Sequence, residues 1–242
     1  MLAPIPFIYL CDPTPEASFE NLVRLVNDGA KAIIAGVPFS DPCADGETLE
    51  IACGRAFKCA PDQASSFELI RRFKEIYPDV AVYVRAYTNQ VYAPGIENFV
   101  RTIKTLGADG LLVLDLPVAM VKLMPVWKQA CDACDLPLVQ SLPMNASDDT
   151  VQAAIDLPSK IVLFEYQSHC PVERLTRSYQ KVRAAGIKTV FIGSNPIDVE
   201  TLALFKSLDF DGLVIETAVA AMQNAAPDHM LPERPLSSLL KD

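Results

Sequence analysis

Ala32-Ile33-Ile34-Ala35-Gly36-Val37-Pro38-Phe39-Ser40-Asp41-Pro42-Cys43-Ala44-Asp45-Gly46 reads as a buried strand that runs directly into a stiff loop. The strand is a short apolar run, the pattern of a parallel strand covered on both faces. In the loop, Pro38 and Pro42 hold φ at roughly −65° and remove two donors, while Gly36 and Gly46 permit turns closed to other residues. Two carboxylates, Asp41 and Asp45, are thereby held at the C-terminal end of the strand.

Outward from this stretch the same unit repeats to the end of the chain. Strands are expected at Ile5–Leu10, Ala32–Gly36, Val80–Arg85, Gly110–Leu114, Leu136–Ser141, Lys160–Phe164, Thr189–Ile192 and Gly212–Ile215. Helical periodicity lies between them over Ala17–Asp28, Ser66–Ile76, Gly95–Leu106, Ala119–Cys134, Asp148–Ile155, Pro171–Ala185, Ile197–Leu208 and Thr217–Gln223, with a short final helix after a polar tail. Eight strand–helix units in 242 residues predict an α/β chain folded as a (βα)8 TIM barrel. An open doubly wound sheet would usually carry Gly-x-Gly-x-x-Gly after its first strand, and Cys11-Asp12-Pro13-Thr14-Pro15 is unlike that turn. Without a linker or a shift in composition, residues 1–242 are expected to form a single barrel domain.

Composition narrows the function classes. Half of the residues are hydrophobic and 21% are charged, as in a globular protein. A formal charge of −9 argues against nonspecific nucleic-acid binding, which needs cations to release counterions. No apolar run reaches the roughly 18 to 20 residues of a spanning helix, and the Pro-broken start Met1–Tyr9 lacks the basic region of a signal peptide. Seven cysteines at irregular spacing fit a reducing compartment, so a cytoplasmic location is expected. Cys131-x-x-Cys134 has no second pair or nearby His, and reads as two small residues closing a helix. With only His169 and His229 available, no metal site and no cofactor are expected.

Six motifs in order, each at an expected strand end, resemble the tryptophan synthase α subunit family. They are Phe7-Ile8-Tyr9-Leu10-Cys11-Asp12-Pro13, the Pro38–Gly46 loop, Arg55-Ala56-Phe57, Tyr87-Thr88-Asn89, Asp115-Leu116-Pro117 and Pro143-Met144-Asn145-Ala146. The similarity covers nearly the whole chain, with cysteine for glycine at Cys11, and with strand one expected at the start the family's short N-terminal helix is not expected. It implies a barrel that cleaves indole-3-glycerol phosphate by a retro-aldol step, in which two carboxylates divide the proton transfers. Asp45 matches the aspartate that meets the indole nitrogen, whereas Ile34 stands where the family carries its proton-shuttling glutamate.

Other departures accumulate around the expected site. The family's strand-six tyrosine falls at Val162 or a neighbour, and the mobile loop after that strand is short here, Glu165–Pro171. Phosphate would be held after strands seven and eight. Gly193 and Ser194 remain, but Glu216-Thr217 replaces the expected Gly-Ser. An ionised carboxylate ~5 Å from a phosphate costs roughly 3 kcal/mol per charge at an effective dielectric of ~20. Glu216 either intrudes on that cradle or turns away as a helix-start carboxylate. Arg85 stands where the family has a leucine facing the indole ring, and is a rim residue, a partner of Asp45 or Glu216, or a clamp for a ligand carboxylate.

The resemblance thus implies a divergent lyase or aldolase-type barrel. Its catalytic candidates are Asp45 and Glu165, and its ligand-binding candidates are Phe7, Arg85, Tyr87, Gly193, Ser194, Glu216 and Thr217. The ligand expected at the barrel mouth is a small molecule, unphosphorylated or differently charged. The alternative is an inactive α-like subunit that regulates a β-like partner through Pro38, Phe39, Ser40 and Asp41. A third reading keeps the family reaction at low rate, with Glu50 or Glu165 replacing the lost carboxylate.

Overall fold

The computed structural model describes residues 2–157, 159–166, 171–193 and 199–240. Eight parallel strands, β1 (Ala3–Tyr9), β2 (Ala32–Gly36), β3 (Ala81–Ala86), β4 (Gly110–Val113), β5 (Leu138–Pro143), β6 (Ile161–Glu165), β7 (Thr189–Gly193) and β8 (Gly212–Ile215), pair in sequence order. β8 returns to β1 and closes the barrel. The helices are α1 (Pro15–Asn27), α2 (Glu47–Cys59), α3 (Gln63–Ile76), α4 (Thr88–Tyr92), α5 (Ile96–Thr105), α6 (Met124–Ala133), α7 (Asp148–Asp156), α8 (Val172–Ala184), α9 (Val199–Ser207), α10 (Thr217–Ala225) and α11 (Pro235–Leu239). Among the described residues no helix is long and apolar enough to cross a membrane.

Side chains alternate between two cores because successive strand residues point to opposite faces. Ile5, Phe7 and Tyr9 of β1, Ile34 of β2, Leu112 of β4 and Leu163 of β6 fill the barrel interior. Their neighbours Ile8, Ile33 and Val162 pack outward against the helix layer, with Leu25, Phe73 and Leu175. Gly36 is required by this interior: a Cβ there would lie 2.7 Å from the ring of Phe7. Cys11, in the glycine position of the first turn, holds a left-handed backbone with φ of 66°, a conformation that strains a residue with a Cβ.

Three of the differences from the expected elements have local reasons. The helix foreseen from Ala119 starts at Met124, after turns in which Met120 N–H bonds Pro117 O and Leu123 N–H bonds Met120 O. Pro125 then falls in the first turn, where its missing N–H is harmless; a start at Ala119 would bury it mid-helix. β5 begins two residues late because Pro137 cannot donate to the ladder. The unforeseen helix α2 buries Leu49, Ala52, Cys53 and Ala56, a stripe too small and weakly apolar to stand out in sequence.

Candidate functional site

A cavity of about 340 Å³ opens at the C-terminal ends of the strands, the end at which barrels assemble their chemistry. Leu49, Leu112, Leu163 and Val214 give it apolar walls, and Asp45, Arg85, Glu165 and Glu216 bring the charges. A larger groove of about 550 Å³ lies at the opposite end, bordered by Asp135, Lys160 and Lys188 just before β5, β6 and β7. Two of its lysines are tied to carboxylates, Lys128 to Asp132 at 2.5 Å and Lys160 to Asp135 at 2.6 Å. Its position at the strand N-termini makes it the weaker candidate.

Asp45 is reached by three side chains. Arg85 Nη2 donates to Oδ1, while the Tyr9 hydroxyl and, at 3.1 Å, the Tyr87 hydroxyl donate to Oδ2. Tyr87 in turn accepts from the N–H of Ala44 at 3.3 Å and stacks on Phe39. The loop after β2 is thus clasped to β1 and β3. Asp45 and Arg85 have side-chain exposures of 1% and 3%, so Arg85 is a buried partner rather than a rim residue. Burial works against charge on the guanidinium, but Glu216, Tyr9 and Asp45 outweigh it and hold Arg85 above its ordinary range. Burial, more than any neighbour, also keeps the Tyr9 and Tyr87 hydroxyls protonated.

The Arg85 guanidinium lies 4.4 Å from the centre of the Phe7 ring, a contact that favours a desolvated cation. Its Nε and Nη1 have no hydrogen-bond acceptor among the described residues. Each such buried donor costs roughly 1–3 kcal/mol, so the site contains an unmet demand for an acceptor.

Glu216 follows β8, lines the cavity and starts α10 without capping it through its side chain. It therefore faces the mouth instead of turning away to the helix end. Burial raises its carboxyl above the ordinary 4.5; Arg85 pulls the other way, and Asp45 and Glu165 add to the rise. The native protein then holds a proton that the unfolded chain releases, so this group's contribution is full below pH 4.5 and is lost as pH rises through the folded value. Glu216→Gln should melt higher than the parent at about pH 8, and the difference should close as pH falls to about 4.5. A difference independent of pH would contradict this account.

Glu165, the last residue of β6, accepts from the Ser141 hydroxyl and lines the same cavity. Gly193 and Thr217 also line it; Ser194 lies outside the described residues, as does most of the short loop after β6. Phe7 and Tyr87 stand behind the lining, one under Arg85 and the other against Asp45. Pro38 is buried and accepts from Gln90 Nε2 at 2.8 Å through its carbonyl, Phe39 is half-buried, and Ser40 and Asp41 are exposed. Ile34 points into the barrel at 2% exposure. Glu50 is exposed on α2 and does not line the cavity, and Val162 faces the helix layer rather than the mouth. Cys131 is buried in α6 and Cys134 caps it, and the described residues contain no cluster suited to a metal ion. Tyr9 was not foreseen at the site, although alternation from Phe7 aims it inward.

A family model described as tryptophan synthase alpha chain matches residues 2–163. The tryptophan synthase alpha chain of Aeromonas hydrophila is 30% identical over 237 residues, covering 94% of this chain and 87% of the relative. That of Photobacterium profundum is 34% identical over 153 residues, or 63% of this chain and 56% of its own. Among solved structures, a chain from Aquifex aeolicus superposes with a TM-score of 0.84 at 23% identity, covering 100% of this chain and 94% of the other. A chain of the tryptophan synthase complex from Pyrococcus furiosus gives 0.79 at 23%, covering 92% and 90%. At that identity these two likenesses speak for the fold.

Proposed function

The chain belongs to the tryptophan synthase alpha chain family, and from that premise we propose that it is a divergent lyase-type barrel whose cleavage of indole-3-glycerol phosphate is impaired and whose mouth serves a differently charged ligand. One observation carries the reading. The buried, inward-facing Ile34 has no proton to give or take, at the position where the family resemblance calls for a carboxylate. General acid/base groups contribute roughly 10² to 10⁴-fold in rate, so the family reaction is slowed by at least that order.

The remaining residues divide the work differently. Asp45, with Oδ2 taken by both tyrosines and Oδ1 by Arg85, acts as a fixed acceptor that orients a ligand N–H or O–H through its remaining lone pair. Glu165, held by Ser141 through one oxygen among the described residues, offers its second oxygen for proton transfer at the ligand. Glu216 places a protonable carboxyl where a phosphate would lie, favouring another ligand class.

The test is indole release from indole-3-glycerol phosphate. The unmodified chain is expected to work at least about a hundredfold below an intact family member, and Asp45→Asn to abolish whatever turnover remains. Vigorous release by the unmodified chain overturns the reading.

A second reading, a regulatory subunit for a β-type partner, is favoured by a separate observation. Tyr92, on the segment after β3, and Met120, Val121, Leu123 and Val126, after β4, are exposed large apolar residues. Tyr92 and Val126 line one groove, and apolar surface of this kind marks protein contacts. Co-elution with a tryptophan synthase β-type protein and a change in its turnover are expected under this reading, and no complex at micromolar concentration removes it.

A further inference from the structure

We infer that the mouth cavity binds a small zwitterion, with its ammonium group between Glu165 and Glu216 and its carboxylate on Arg85. The inference rests on the altered-ligand reading for the location of the site and adds the chemical class of the occupant.

The charges of the lining give the first reason. Asp45 and Arg85 neutralise one another by direct contact. Glu165 and Glu216 exceed that pair: neither forms an ion pair by direct contact among the described residues, although Arg85 attracts Glu216 at longer range, and Glu165 meets the Ser141 hydroxyl. In a cavity with apolar walls, Glu216, within electrostatic reach of Glu165, either keeps a proton or attracts a cation. A phosphate or a lone carboxylate would add charge of the wrong sign.

The backbone gives the second. Glu165 ends β6, Glu216 follows β8, and the strand between them presents Gly193, which pairs with Glu165 on one side and Val214 on the other. A Cβ built on Gly193 would meet nothing closer than Leu163 Cδ1 at 3.7 Å. Among the described residues, the intervening strand therefore places no side chain at the position between the two carboxyls.

Arg85 supplies the third, and it is independent of the acids. The side chain is 3% exposed and borders the cavity, yet Nε and Nη1 have no acceptor among the described residues. A carboxylate is the acceptor whose planar geometry suits a guanidinium. The site thus asks for a cationic donor on the β6–β8 side and an anionic acceptor on the β3 side. A sugar phosphate meets only the second demand, whereas an amino acid meets both. Leu112, Leu163 and Val214 leave an apolar floor for a short side chain.

Isothermal titration of the full chain with four matched probes tests this. L-2-aminobutyrate carries both groups, propylamine the ammonium alone, butyrate the carboxylate alone, and inorganic phosphate an anion of the family's kind. Saturable binding is expected for L-2-aminobutyrate, weaker by about tenfold or more for propylamine, and absent for butyrate and phosphate. Glu216→Gln should weaken L-2-aminobutyrate by about tenfold. Gly193→Val, whose Cβ has room and whose branched chain suits a strand, should keep the parent's circular dichroism and abolish binding. No heat from L-2-aminobutyrate at millimolar concentration, tighter binding of butyrate or phosphate, or unchanged binding in folded Gly193→Val overturns the inference. Zwitterion binding without turnover would retain the inference and remove the lyase reading; indole release at the impaired rate, without zwitterion binding, would do the reverse.

Discussion

Arg55→Met is expected to lower the unfolding free energy by about 3–5 kcal/mol, among the largest stability losses available from one substitution in this chain. Arg55 reaches from α2 to the end of β1 and grips Asp12 through Nε and Nη2 at 2.9 and 2.8 Å, while Nη1 donates to Asn224 at 2.6 Å. Asn224 donates to the carbonyl of Thr48 at 2.9 Å, so α10 is tied to the start of α2 as well. Asp12 is 0% exposed, and burial raises its carboxyl even though Arg55 lowers it. Without the arginine an unpaired carboxylate would remain in the interior, which is why removing one partner of a buried pair is far worse than removing both. Urea denaturation of Arg55→Met, Asp12→Asn and the double variant measures this. The double variant should lose clearly less than the sum of the single losses, and strict additivity would show that the pair is not coupled.

The barrel was legible in the sequence because its strands are nearly continuous apolar runs, and all eight were located to within two residues. That legibility came from burial on both faces, a property that composition records. α2 was missed for the converse reason, since its buried stripe of Ala52, Cys53 and Ala56 has little apolar weight. At the site, sequence order placed Asp45, Arg85, Glu165 and Glu216 at strand ends, and these four bring the charges of the cavity. Their pairing was not legible. Arg85 had three open roles in sequence, and only the inward direction of Tyr9, the close seat of the Phe7 ring against Gly36 and the fold of the loop after β2 decide that it meets Asp45. Those are distances between segments about forty residues apart, which no local pattern encodes.

Ile34→Glu alone is expected to raise indole release only slightly, whereas Ile34→Glu combined with Arg85→Leu and Glu216→Gly should raise it by about a hundredfold or more. A carboxyl at position 34 would sit at the depth of an isoleucine that is 2% exposed, beside Phe7 in the register of β1 and β2. Desolvation there lifts a carboxyl toward neutrality, which suits a proton carrier. The ligand, however, must also fit. The Arg85 guanidinium covers the face of Phe7 that an aromatic ring would need, and Glu216, which lines the same cavity, opposes a phosphate there. Restoring the carboxyl without clearing the mouth therefore supplies a catalyst without a bound substrate. Arg85→Leu removes the guanidinium while Tyr9 and Tyr87 still hold Asp45, and Glu216→Gly removes the opposing charge. Thermal melts of each variant separate a folding defect from a catalytic one, because loss of Arg85 leaves Asp45 without its counter-ion. If Ile34→Glu alone gave the full gain, neither Arg85 nor Glu216 would obstruct the ancestral ligand, and the mouth would have lost a proton carrier without changing what it admits.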